Sequence, residues 1–193
     1  MVKGLTSFVF ALSLLTFVHA NASMFPDIDI NDSSLTSDTA AKQCAKSFMH
    51  APHKLLLWCE KAYVMGHWES LYYIGMYTGD GSRYLDELNT RMNQGEANAI
   101  NTLAWLYQSG RFVNKDIREA ARLYELYLAQ ESNQVIFLKA STHYELATIY
   151  EKLAMWGKVI THTQYVIDNA DRDGRIAVAK DLQKQAKASL AEN

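Results

Sequence analysis

The sequence predicts an all-α fold, a short α-solenoid of antiparallel helix hairpins with a C-terminal capping helix. Three observations carry this expectation. Nine Gly and two Pro in 193 residues are about half of average usage, too few for a turn-rich β-sandwich or a collagen-like chain. After Thr39, small and apolar residues recur at three- and four-residue spacing, the pattern of amphipathic helices. A helix–turn–helix unit then returns every 30 to 45 residues or so, the period of stacked helical hairpins. The hydrophobic fraction of 49% against 21% charged residues excludes wholesale disorder. With 19 basic and 21 acidic side chains, a net charge of −2 and no basic block, the footprint of a nucleic-acid binder is missing.

The N-terminus reads Met1-Val2-Lys3, an apolar run from Gly4 to Val18, and His19-Ala20-Asn21-Ala22 before Ser23. One positive charge, an apolar stretch and a small-residue exit predict a secretory signal peptide over 1–22, cleaved after Ala22. A membrane-spanning helix needs about 20 apolar residues. This run is shorter and carries Thr6, Ser7, Ser13 and Thr16, so no stable membrane span is expected after cleavage. The protein is therefore expected in the periplasm or secreted. Residues 23–37 are polar and acidic and read as a flexible leader. Asp27, Asp29 and Asn31 begin a calcium-loop spacing, but Asp32 stands where the loop requires Gly, and a solvated linker is the better reading.

The repeat domain spans 38–193, with hairpins at about 38–65, 66–94, 95–130 and 135–170 and a cap at 172–190. Cys44 lies in a helix beginning at Ser37 or Asp38, and Cys59 in a stretch opened by Pro52, a residue suited to the first helical position. An antiparallel turn at Ala51-Pro52 puts both cysteines at one height on facing helices. In an exported protein this predicts a Cys44–Cys59 disulfide, the alternative being two buried free thiols.

The clearest unit runs from Gly95 to Gln130. Ala99, Leu103, Ala104, Leu106 and Tyr107 share one face, Ser109-Gly110 breaks the helix, and Asp116 precedes a second run through Ile117, Ala120, Ala121, Leu123, Tyr124, Tyr127 and Leu128. This spacing resembles a Sel-one-like repeat, a variant of the tetratricopeptide fold. It departs at Phe112, where the family usually has a second Gly, and at Leu128, where Ala is usual, which implies a bulkier link between the helices. Gly66, Ser70, Ile74, Gly75 and Gly81 repeat the same pattern one unit earlier, with a shortened link before a helix at Arg83 to Asn93. Leu146, Ala147, Tyr150, Leu153, Trp156, Ile160 and Ile167 resemble a plain tetratricopeptide hairpin. Ile176, Ala179, Leu182, Ala186 and Leu190 form one stripe backed by lysines, as a terminal cap of a solenoid requires.

Chemistry is sparse. His50 and His53 flank a turn and do not share a helical face, and His67, His143 and His162 carry no metal-ligand motif. Gly79-Asp80-Gly81-Ser82 lacks the order of a nucleophile loop and follows a helix. No catalytic residue, metal or cofactor is expected. The family resemblance implies instead that the first helix of each hairpin lines a concave groove for a protein partner. Registering those helices on Ile74, Leu103 and Leu146 points Glu69, Tyr72 and Met76 inward, then Asn98, Asn101, Trp105 and Gln108, then Ser141, Tyr144, Thr148 and Glu151. Tyr72, Trp105 and Tyr144 are the candidate anchors, since aromatics dominate interface hot spots; the alternative is that they pack against the next repeat. The expected function is an exported, non-enzymatic interaction module. Alternative forms are a periplasmic immunity protein neutralising a secreted toxin, or a structural component of a flagellar motor or secretion machine.

Overall fold

The computed structural model describes residues 28–130, 136–170 and 173–192, and within these the chain is helical, with no strand. The expected signal peptide 1–22 and residues 23–27 of the leader lie outside the described residues. The helices are α1 (Ser37–His50), α2 (Leu55–Val64), α3 (Ser70–Thr78), α4 (Ser82–Asn93), α5 (Ala97–Ser109), α6 (Ile117–Ala129), α7 (Ile136–Lys152), α8 (Trp156–Asn169) and α9 (Asp173–Ala191). Each packs on the next in the chain, and α1 also touches α3 and α7 touches α9.

The ends of these helices follow from local chemistry. Thr36, one residue earlier than the expected Ser37 or Asp38, caps α1 by accepting the Thr39 amide on its hydroxyl. Asp116 caps α6 by accepting the amides of Arg118 and Glu119. A capping side chain of this kind stabilises a helix by about 1 kcal/mol. Gly79 and Gly110 close α3 and α5 in the left-handed region, at φ 82° and 76°, where a side chain is strained. Pro52 does not open α2 directly. It begins a 3-10 turn, Pro52–Lys54, and the α-helix starts at Leu55. The described apolar residues of the leader are not free of the domain: Ile28, Ile30 and Leu35 pack, half-buried, against the core, between exposed Asp29, Asn31 and Asp32.

The core runs through all nine helices of the described residues. Leu55, Leu88, Ile100, Leu106, Leu123, Tyr127, Leu146, Ile149 and Val159 are fully buried. Ala99, Ala104 and Ala120 are fully buried as well, which lets α5 and α6 approach closely. Cys44 of α1 and Cys59 of α2 have their sulfurs 2.05 Å apart, at disulfide distance, with Cα atoms 4.6 Å apart. On α9, Ala179 and Ala186 are buried while Leu190 is half-exposed at the end of the stripe. None of the described helices is long and apolar enough to cross a membrane.

Candidate functional site

Helix α5 turns Ala99, Ile100, Leu103, Ala104 and Leu106 into the core. The helical period then leaves Asn98, Asn101, Thr102, Trp105 and Gln108 on the remaining side. Trp105 retains 40% of its surface, high for the largest apolar side chain, and it stands where two groups of residues meet.

The first group belongs to α3 and the link after α5. The Tyr72 ring lies 6.2 Å from the Trp105 ring. The Arg111 guanidinium stands 5.9 Å from the centre of Tyr72 and 5.6 Å from that of Trp105, and donates to the Met76 Sδ. Among the described residues no carboxylate pairs with Arg111, and its buried Nε has no hydrogen-bond partner. Its charge is held by aromatic faces, to which a guanidinium is well suited.

The second group forms a cleft of about 290 Å³ between α5 and α7. Asn101, Thr102 and Trp105 make one wall, Leu138, Ser141, Thr142 and Glu145 the other, and Tyr124 of α6 lines it as well. A hydrogen-bond chain sets this cleft. The Tyr124 hydroxyl donates to Gln108 Oε1 at 2.7 Å, which orients the amide so that Gln108 Nε2 donates to Glu145 Oε2 at 2.8 Å. Burial, with the nearby Glu145 charge, pushes the Tyr124 phenol far up, so it stays a donor at any ordinary pH. At the rim, Arg175 of α9 donates to the Ser141 hydroxyl and stands 5.8 Å over the Tyr144 ring.

The sequence-derived groove residues divide accordingly. Tyr72, Met76 and Trp105 come together; Asn101 and Trp105 line the cleft, and Gln108 positions its carboxylate. Asn98 is exposed and lines neither group. Tyr144 does not line the cleft and lies under Arg175 of α9. Thr148 donates its hydroxyl to the Glu145 carbonyl of its own helix. The face of α7 on the cleft carries Leu138, Ser141, Thr142 and Glu145. Ser141 is where the expected register puts it, while Glu145 stands in the place expected of Tyr144, one residue or about 100° of helix rotation away. Registering on the buried Leu146 could not distinguish the two, because Ala147, Ile149 and Tyr150 are equally buried and α7 carries core residues on several sides. Arg111 also escaped notice, lying in a link and not on a first helix.

A second polar cluster joins α7 to α8 on another side of the molecule. His143 Nδ1 and His162 Nδ1 are 2.8 Å apart, so one ring donates and the other accepts. His143 is stacked on Tyr165 at 3.8 Å, and His162 on Tyr150 at 5.5 Å. Burial, then repulsion from His162 and Lys139, lowers the His143 pKa to about 4. Burial also lowers His162, against the pull of Glu125. Beside them the Tyr150 hydroxyl and Lys158 Nζ both donate to Glu125 Oε1, the lysine at 2.7 Å. Burial works to raise the Glu125 pKa, but these donors outweigh it and hold the carboxylate ionised.

The cleft offers a carboxylate, four hydroxyls, an amide and an indole. Such a set holds a side chain by hydrogen bonds and π contact. The Ser141 hydroxyl accepts from the Arg175 guanidinium. Compared with known protein families, with curated proteins and with solved structures, the chain matches none of them.

Proposed function

We propose that the protein is an exported, non-enzymatic interaction module whose groove over α3, α5 and α7 holds a segment of a protein partner. In this reading the helices are the hairpins of a short α-solenoid, capped by α9, and the groove is its concave face. The sequential packing of the helices and the α1–α3 and α7–α9 contacts support the architecture. The signal-like N-terminus and the cysteine pair at disulfide distance support export.

The observation that carries the reading is Trp105. A core-facing use of this residue would have buried it among Leu103 and Leu106; it stands half-open instead, between the Tyr72–Met76–Arg111 group and a cleft of hydrogen-bonding groups. An apolar anchor ringed by polar groups suits a protein surface. The test is site-specific photo-crosslinking in cells that make the protein. A photoreactive phenylalanine at position 105 is expected to trap one discrete partner, and the same group at exposed Leu126 of α6 is expected not to. Equal patterns from both positions, or none at 105, would remove the groove. A tight one-to-one complex with a toxin would identify an immunity protein, and co-sedimentation with envelope assemblies a machine component.

A further inference from the structure

We propose that the α5–α7 cleft is a receptor for one cationic side chain, best an arginine, presented by the partner; the proposal rests on the groove reading above and supplies the chemistry of what enters it. Glu145 is the only charged side chain among the described residues that line the cleft. Among the described residues it has no ion-pair partner. Its Oε2 is fixed by Gln108, itself fixed by Tyr124, so the carboxylate is oriented by neutral donors that leave its charge uncompensated. A half-buried carboxylate held in this way is a site prepared for a cation, because the missing counter-charge is the largest interaction still open to it.

The remaining walls select the shape. Trp105 lines the same cleft as that carboxylate, and an indole is the strongest aromatic surface for a cation. A guanidinium is flat, stacks on such a face and carries five donors. The side-chain oxygens of Asn101 and Thr142 lie on the same cleft and accept such donors. The two native cations nearby do not fill the place. Arg111 stands over Trp105 at 5.6 Å together with Tyr72 and Met76, but it does not line the cleft and does not reach its carboxylate. Arg175 is engaged at the rim by Ser141 and Tyr144.

The probe is capped arginine, N-acetyl-arginine methylamide, with capped citrulline as its uncharged isostere. Each is titrated into the folded protein while the Trp105 indole N–H and the Thr142 and Glu145 amides are followed by NMR. Capped arginine is expected to give saturable shifts at these three signals with a millimolar Kd. Citrulline, and capped arginine against Glu145→Gln, are each expected to bind at least about fivefold more weakly, the loss of a charge-assisted contact. Absence of saturable shifts at the cleft would overturn the proposal, as would equal affinity for citrulline or an unchanged affinity in Glu145→Gln. Unaltered helical circular dichroism and melting of Glu145→Gln separate lost recognition from lost fold. The groove reading has its own arm: if capped arginine fails while crosslinking at position 105 still traps the partner, only the cation pocket falls.

Discussion

Phe112 occupies the space that a side chain at Gly81 would need: a Cβ placed on Gly81 would lie 2.1 Å from the Phe112 Cγ. The ring also closes on Gly75, where a Cβ would come within 2.9 Å of its tip, and packs edge-on to Tyr72 at 5.8 Å and Tyr84 at 6.3 Å. Phe112 reaches this notch from a left-handed backbone, φ 62°, a conformation costly for a bulky residue. The link between α5 and α6 is thus keyed into the turn between α3 and α4, and it holds Arg111 against Tyr72 and Trp105.

Gly81→Ala is expected to destabilise the protein by about 1–3 kcal/mol, the range of overpacking changes. Phe112→Ala should cost about 2 kcal/mol, less than full burial would give. The two together should cost less than their sum, since the second removes the clash created by the first. At this left-handed position Phe112→Gly should be no worse than Phe112→Ala, the reverse of the order in a helix. Chemical denaturation of the four variants checks all of this.

The cysteine pair gives a second expectation. Non-reduced protein from an oxidising compartment should be two daltons lighter than reduced protein by mass spectrometry. Reduction should lower stability by about 3 kcal/mol, the entropy of closing a loop of this length. Two freely alkylated thiols in non-reduced material would contradict the bridge.

The histidine pair predicts a pH dependence. Both rings titrate lower in the fold than in the unfolded chain, whose ordinary value is 6.5, so the fold favours their neutral forms. Their contribution is complete above about pH 6.5 and is lost as pH falls toward the folded His143 value of about 4. Glu60, Glu119 and Glu125 are held low by Arg83, Arg122 and Lys158, and their contributions fade only below the ordinary glutamate value of 4.5. The window between 4.5 and 6.5 therefore belongs to the histidines, with Glu125, Lys158 and Lys139 as the charges that face them. The melting temperature should fall across that window, and the fall should flatten in His143→Gln/His162→Gln. An equal slope in the double variant would contradict this.

Much of the helical order was legible because its signals are local. Asp116 before Ile117, the Ser109-Gly110 break and the buried stripe of α5 are each written within a few residues. That Trp105 and Asn101 lie off the core face of α5 was legible for the same reason, since α5 has one clean apolar face. The α7 side was not. Leu146, Ala147, Ile149 and Tyr150 are all buried, so no single stripe fixes rotation, and the residue that meets Gln108 is Glu145. Phe112 could be seen to depart from the resembled pattern. That it fills a notch made by Gly75 and Gly81 depends on how the α5–α6 link lies against the α3–α4 turn, which no local spacing encodes.

The measurement that bears most directly on the account is the affinity of Trp105→Ala for the partner trapped at position 105, taken beside its thermal melt. Trp105 keeps 40% of its surface exposed, and the proposed reading gives it to the groove and not to the core. The variant is therefore expected to keep its helical circular dichroism and to melt within a few degrees of the parent, while binding falls at least tenfold, or about 1.4 kcal/mol. Unchanged affinity in a folded variant, or collapse of the fold, would contradict it.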